Sequence, residues 1–200
     1  MTTKLTSTSE ALLGLLSIQP WTTYELAKQV ERSLGWFWPR TERKVYDEAK
    51  KLVAAGLATA KDEASGGRPR TVYRITAKGR RELARWLAEP SAPTKLEAES
   101  LVRVFFADAG GLADLRRTLR GFGREAEERL SELGDLIAAA DDPDYPYEGR
   151  VHINALAIRF QMDLYRTIAG WADWAERQTE DWVDARDPGA WDWRRALDRR

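Results

Sequence analysis

The sequence contains no cysteine and only one histidine, His152, among its 200 residues. Without cysteine, the chain cannot form disulfides, thiolate metal sites or a cysteine nucleophile. One histidine cannot build a His-rich metal site, and the Gly-x-Ser-x-Gly turn that would accompany a serine triad is missing. We therefore expect no enzyme, no catalytic residue, no metal and no cofactor.

Long apolar segments are also missing. No run approaches the ~18 residues of a membrane span, and the N-terminus lacks the apolar core of a signal peptide. We therefore expect a soluble, cytoplasmic protein without a membrane partner.

A net charge is also missing, because the chain contains 32 Lys and Arg and 32 Asp and Glu. The balance disappears when the chain is divided by region. Residues 1–90 carry 16 basic and 10 acidic side chains, whereas residues 91–200 carry 16 basic and 22 acidic ones. Pro90 and Pro93 mark the junction, since proline ends helices. This asymmetry predicts a basic domain at 1–90 that meets an anion and an acidic domain at 91–200 that does not.

Helix caps and the spacing of apolar residues predict the helices of the basic domain. Ser7–Glu10 and Thr22–Glu25 are capping-box patterns that predict two helices. Thr41 is a good N-cap for a third helix, which Gly56 would end. Its buried stripe is predicted at Val45, Ala49 and Leu52.

An alternating segment follows the third helix. Residues 57–75 alternate around a basic turn and predict a β-hairpin, and Thr76 is predicted to begin a fourth helix.

The exposed face of the third helix is mainly cationic. Arg43 and Lys50 point away from its buried stripe, with Lys44 and Lys51 at one side. An α-helix fits the major groove of DNA, and an arginine-tipped hairpin can contact phosphate. The layout predicts a mostly α fold: a winged helix-turn-helix with a two-stranded β-wing that binds double-stranded DNA, followed by an α-helical dimerisation domain. The alternative is an ordinary solvated face on a protein–protein interaction adaptor without DNA binding.

Several segments of residues 8–89 resemble PadR-type transcriptional regulators. Residues 52–57 (LVAAGL) resemble the exit of that family's recognition helix, and residues 67–80 (GRPRTVYRITAKGR) resemble its wing signature. The resemblance implies that the helix contacts DNA through Thr41, Arg43, Lys44 and Tyr46, and the wing through Arg68, Arg70 and Tyr73. The cationic helix face adds Lys50 to these predicted contacts.

Apolar repeats dominate the acidic domain. A capping-box pattern at Thr94–Glu97 predicts a helix, a heptad seam from Leu112 to Ala140 predicts a long one, and a final helix is expected from about 148 to 183. The buried stripe of the final helix is predicted at Ile153, Leu156, Phe160, Leu164, Ile168 and Trp171. Two such helices expose wide apolar surfaces, which a homodimer would bury. The predicted dimerisation residues are Leu112, Leu119, Phe122, Leu133, Phe160, Leu164, Ile168 and Trp171.

Nine tryptophans are many for a chain of this length. One interpretation is a pocket for a flat aromatic effector, with Trp36, Trp38, Trp171 and Trp174 as its candidate walls; the other is plain packing. Together these patterns predict a ligand-responsive repressor that binds a near-palindromic operator as a homodimer.

Overall fold

The computed structural model describes residues 5–65, 68–142, 145 and 147–197, and the chain divides into two units, Met1–Thr94 and Lys95–Arg200. The first unit contains, in chain order, α1 (Ser7–Ile18), β1 (Trp21–Thr22), α2 (Thr23–Gln29), α3 (Glu42–Ala54), β2 (Ala58–Ser65), β3 (Arg68–Ile75) and α4 (Ala77–Leu87). The second contains α5 (Glu99–Phe105), α6 (Leu112–Ala140), α7 (Val151–Gln178) and α8 (Trp193–Ala196).

Helix α1 is the centre of the first unit. Its leucines Leu12, Leu13 and Leu16 are buried, and it packs against α3, α4 and β3. The predicted capping box at Ser7–Glu10 was wrong by one residue. Thr6 is the N-cap, because its hydroxyl accepts from the Ser9 amide at 3.2 Å and the Ser9 hydroxyl accepts from the Thr6 amide at 3.3 Å.

The wing belongs to a three-stranded antiparallel sheet with the order β1-β3-β2. The predicted hairpin is present, with Ala58 opposite Ile75 at its base and Ser65 opposite Arg68 near its tip. Strand β1 was not predicted. It pairs Trp21 with Tyr73, and the Trp21 indole donates to the Leu15 carbonyl at 3.0 Å, which ties the base of the wing to α1.

An antiparallel hairpin of α6 and α7 forms most of the second unit. Arg120 near the start of α6 pairs with Glu176 near the end of α7 at 2.8 Å. Leu115, Leu119 and Ala175 form a buried cluster, against which partly buried hydrophobic side chains from α5, α6, α7 and the segment after α7 pack. The predicted heptad helix therefore spans the full length of α6.

Three boundaries in the second unit differ from the sequence predictions. The capping box at Thr94–Glu97 does not form: residues 91–98 lie outside any helix, and α5 starts after Ala98 without a side-chain cap. Helix α7 is shorter than predicted at both ends. In the described parts of the chain, no helix is long and apolar enough to cross a membrane.

The apolar stripe predicted for α7 was partly wrong. Ile153, Leu156 and Phe160 are exposed, whereas the side of α7 that is buried contains Gln161, Ala172 and Ala175. A Cβ added at Gly123 of α6 would lie 3.4 Å from the Ala172 Cβ, so small residues allow the two helices to approach closely. Large apolar residues in the first half of α7 are left on the outside of the hairpin.

Candidate nucleic-acid interface

Helix α3 has one buried face and one exposed face. Val45, Ala49 and Leu52 are buried, as predicted. The Thr41 hydroxyl accepts from the Lys44 amide at 3.4 Å and caps the helix, and Gly56 follows it with a positive φ of 69°. These local features hold the helix in place, so its opposite face presents charged side chains to solvent. That exposed face carries Arg43, Asp47 and Lys50.

A buried carboxylate was missed by sequence reasoning. Glu48 is 0% exposed, and its Oε2 accepts from the hydroxyls of Thr6, at 3.0 Å, and Ser9. Its Oε1 pairs with the ammonium groups of Lys44 at 3.0 Å and Lys51 at 2.8 Å. Burial alone would raise the pKa of Glu48, but these four donors lower it to about 2.

The spacing of Glu48 contained the missed signal. It lies three residues after Val45 and four before Leu52, which places it on the buried stripe of α3. An acid on such a stripe needs partners, and lysines stand at i−4 and i+3.

Tyr46 and Arg40 flank this face of α3. Partial burial and the neighbouring Glu42 carboxylate raise the pKa of Tyr46, so its phenol stays protonated and able to donate. The Arg40 guanidinium lies over the Trp38 ring at 4.2 Å and donates to the Thr8 hydroxyl at 3.2 Å. Both side chains therefore have defined positions near the start of the helix.

The wing carries both cations and acids. The Arg74 guanidinium pairs with Glu63 at 2.8 Å, and the Thr71 hydroxyl donates to Asp62 at 2.7 Å, so two of its acids have partners within the sheet. Arg70 is exposed beside a surface groove at the start of α2. Arg68 begins β3, opposite Ser65, next to the tip at residues 66–67, which lies outside the described part of the chain.

Two ranges of the chain match known protein families. Residues 12–85 match the transcriptional regulator PadR-like family, and residues 98–180 match a model described as virulence activator alpha C-term. Residues 12–85 therefore form a domain of the PadR-like family of transcriptional regulators. This is a family of regulators and not of enzymes.

Individual relatives agree with that membership. A probable transcriptional regulator of Mycobacterium tuberculosis is 40% identical over 86 residues, which cover 42% of this chain and 46% of the relative. The negative transcriptional regulator PadR of Bacillus subtilis is 26% identical over 128 residues, which cover 63% of this chain and 69% of that protein. The chain thus spans about half the length of the mycobacterial relative.

Solved structures of Bacillus subtilis PadR have the same fold. Its complex with operator DNA matches with a TM-score of 0.73 at 20% identity, covering 86% of this chain and 98% of that one. Its complex with p-coumaric acid matches with a TM-score of 0.64 at 19% identity, covering 84% and 96%.

One residue in the PadR-like DNA-contact prediction needs correction. Tyr73 is only 5% exposed, and its backbone pairs with Trp21 on one side and Ala60 on the other. The alternation of β3 turns its side chain into the core, which leaves little of it for contact with DNA and makes its packing at the base of the wing the contact seen here.

The four tryptophans suggested for an effector pocket belong to different units. Trp36 and Trp38 lie in the first unit, and the Trp36 indole donates to the Arg32 carbonyl at 3.1 Å. Trp171 and Trp174 lie in the second unit, where both pack against the buried cluster of α6 and α7. The Trp171 ring also meets Phe122 edge-on at 6.1 Å. Packing within each unit therefore accounts for the contacts seen.

The predicted dimerisation residues divide into inner and outer positions. Leu119 and Leu133 are buried within the chain, and Leu112 packs against the same cluster as Trp171. Phe122, Leu164 and Ile168 are partly buried, and Phe160 is 59% exposed. Phe160 is therefore the residue of this set with the most surface left for a partner.

Metal binding finds no support in the described ranges. No group of three or more His, Asp or Glu side chains there could hold a metal ion.

Proposed function

We propose that this chain is a homodimeric, sequence-specific DNA-binding regulator that represses transcription. Helix α3 enters the major groove, and the wing contacts the adjacent phosphates. The observation that carries this proposal is α3 itself, because one face is packed to full burial while the other exposes Arg43 and Lys50. That orientation is what groove recognition requires.

The family supports DNA over a protein partner. Bacillus subtilis PadR, a negative regulator with the same fold, forms a complex with operator DNA. The adaptor interpretation would leave the cationic face of α3 as plain solvation, and nothing in the comparisons favours it.

The second unit supports the dimer. Phe105 is 78% exposed and Leu156 72% exposed, and exposed apolar patches of this kind mark contact surfaces. A two-fold dimer would bury them and would present two copies of α3. Half-sites about 34–36 Å apart on a near-palindromic operator would match that symmetry.

A small aromatic effector completes the proposed function. Bacillus subtilis PadR forms a complex with p-coumaric acid, a flat phenolic carboxylate. In this chain, Trp171 and Trp174 are partly buried against the α6–α7 cluster, so an effector stacked on them would alter the helices that join the two copies of α3 in the proposed dimer. Titration with p-coumaric acid should quench tryptophan fluorescence and release bound DNA; unchanged fluorescence and binding would refute this part of the proposal.

The central experiment is selection of bound duplexes from genomic fragments, followed by gel-shift titration against salt. We expect a near-palindromic sequence that overlaps a promoter, with affinity falling steeply as salt rises. Affinity that stays flat between low and moderate salt would contradict phosphate-driven contact. Bound sites upstream of promoters, without overlap, would indicate activation instead of repression.

A further inference from the structure

The cluster of Glu48 with Lys44 and Lys51 contains more positive charge than its carboxylate requires. Glu48 is fully buried in the protein, and one lysine would neutralise it. Two lysines converge on its Oε1, at 3.0 and 2.8 Å, which leaves the cluster with a net charge of +1. A requirement for neutral burial therefore does not explain the second lysine.

The carboxylate has no capacity left for a further donor. A carboxylate offers about four acceptor positions. Two are used by the hydroxyls of Thr6 and Ser9 on Oε2, and two by the lysines on Oε1. The lysines are different, because each ammonium group has three N–H donors and gives only one to Glu48.

The lysine side chains extend from a buried anchor toward solvent. Their side chains are 44% and 47% exposed, while the carboxylate between them is not exposed at all. Because both nitrogens lie within 3.0 Å of one oxygen, they are at most about 6 Å apart. Two oxygens of a single phosphate can accept from donors at that separation.

We propose that Glu48 holds Lys44 and Lys51 as a paired seat for one phosphate of the DNA backbone. Glu48 is the positioning residue, and the two lysines make the contact. Thr6 and Ser9, at the start of α1, fix the carboxylate, so the seat also sets the position of α3 against α1. This inference rests on the proposed function of DNA binding. It adds Lys51 as a DNA contact and gives Glu48 a role.

The slope of log affinity against log salt concentration gives the number of phosphates that a protein neutralises. Each phosphate contributes about 0.9 to the magnitude of that slope. The test compares Lys44→Ala, Lys51→Ala and the double variant on a duplex selected by the wild-type protein. One shared phosphate predicts that the double variant loses about 0.9 of slope. A loss of about 1.8 would mean two separate phosphates, and no loss would mean no contact; either result overturns the seat.

Lys50→Ala is the matched control, because Lys50 is exposed on the same helix and is not among the donors to Glu48. Its effect on the slope should add to that of Lys51→Ala, as expected for a separate contact. The double variant leaves the Glu48 carboxylate with fewer partners and could unfold. A triple variant that adds Glu48→Gln removes the orphaned charge and gives the same slope comparison.

Glu48→Gln alone tests the positioning role. Glutamine keeps an acceptor for Thr6 and Ser9 but releases both lysines and removes one negative charge. If the charge alone mattered, every duplex would be bound more tightly, as expected for the exposed-acid control Glu42→Gln. Loss of the seat should instead weaken binding to the selected duplex and to a random duplex alike, by about tenfold or more, because every duplex offers the same phosphate. Tighter binding to both duplexes overturns the proposal.

The same measurements test DNA binding and the phosphate seat separately. If the wild-type protein binds no duplex at any salt concentration, the proposed function is wrong and the seat is refuted with it. If the wild type binds but the double lysine variant keeps its slope, only the seat is refuted.

Discussion

The two units of this chain use their apolar residues in opposite ways. In the first unit, the leucines of α1 and α3 are buried, and most charged residues lie outside, with Glu10 and Glu48 as the buried exceptions. In the second unit, the inner side of the α6–α7 hairpin uses alanine and leucine, while large side chains such as Phe105 and Leu156 remain exposed. The first unit buries its large apolar side chains within one protomer and has a charged surface. The second unit leaves large apolar side chains exposed, and we propose that a second copy of the chain covers them.

The largest effect is expected from a charged residue on the exposed apolar face of α7. Phe160→Glu should convert the dimer to monomers, since an interface core does not tolerate an unpaired carboxylate. Operator affinity should then fall by about 10²-fold or more, because two linked half-site contacts become one. Sedimentation and gel shifts measure both effects. Phe160→Leu keeps the apolar surface and is the control; a dimer that survives Phe160→Glu would contradict the assignment.

Substitutions in the buried core of the first unit should change the free energy of unfolding and not the oligomeric state. Leu52→Ala removes a fully buried side chain and should lower the free energy of unfolding by about 2–5 kcal/mol. Leu156→Ala removes the same atoms from an exposed position and should change the unfolding of the isolated protomer by well under 1 kcal/mol. Denaturant titration of both variants, in the monomeric Phe160→Glu background, makes the comparison. Equal losses would show that α7 is covered within one protomer.

The first unit contains two buried glutamates whose pKa values are shifted in opposite directions. Glu48 has four donors, which lower its pKa from 4.5 to about 2, so its stabilisation of up to about 3 kcal/mol is complete above pH 4.5 and is lost as the pH falls towards 2. Glu10 is equally buried, yet burial and the nearby Glu82 raise its pKa, and its Oε2 has no partner among the described residues.

The sign of the pH dependence is therefore opposite at the two sites. Glu48→Gln should destabilise the protein at pH 7 and flatten the stability curve below pH 4.5. Glu10→Gln should stabilise it slightly at pH 7, because the ionised carboxylate is the costly form there. Unfolding measured between pH 3 and 7 distinguishes them. A loss of stability in Glu10→Gln at pH 7 would mean that the Glu10 carboxylate has a partner.

The smallest expected effect concerns the basic tip of the wing. Replacing Arg68 and Arg70 together by alanine should weaken binding to all duplexes alike and lower the salt slope by about one per arginine that contacts a phosphate. Arg81→Ala, at an exposed position of α4, is the control. Unchanged affinity in the double variant would remove the wing from the interface.

Local chemistry explains what could be predicted from the sequence. The N-cap at Thr41, the stripe at Val45, Ala49 and Leu52, and the turn at Gly56 each depend on residues within a few positions, so spacing alone predicted them. The cap of α1 was wrong because Thr6 and Ser7 both carry a hydroxyl, and a difference of one residue decides which of them lies at the end of the helix.

Long-range contacts explain what could not be predicted. Strand β1 has two residues, too few to show alternation, and exists because Trp21 meets Tyr73 from the wing. The contacts of Glu48 with Thr6 and Ser9 could not be predicted, because these two residues lie about forty positions earlier. The side of α7 that faces α6 includes Ala172, which meets Gly123, and no pattern within α7 reveals that contact.

The short strand β1 has a thermodynamic consequence. With Trp21 anchored to α1 and paired to Tyr73, the base of the wing is already ordered before any ligand arrives. The ordering cost of binding then falls mainly on the long cationic side chains, and each such side chain costs about 0.5–1.5 kcal/mol when immobilised. A two-residue strand thus lowers the entropic cost of recognition, and calorimetry would register its removal as a larger unfavourable entropy of binding.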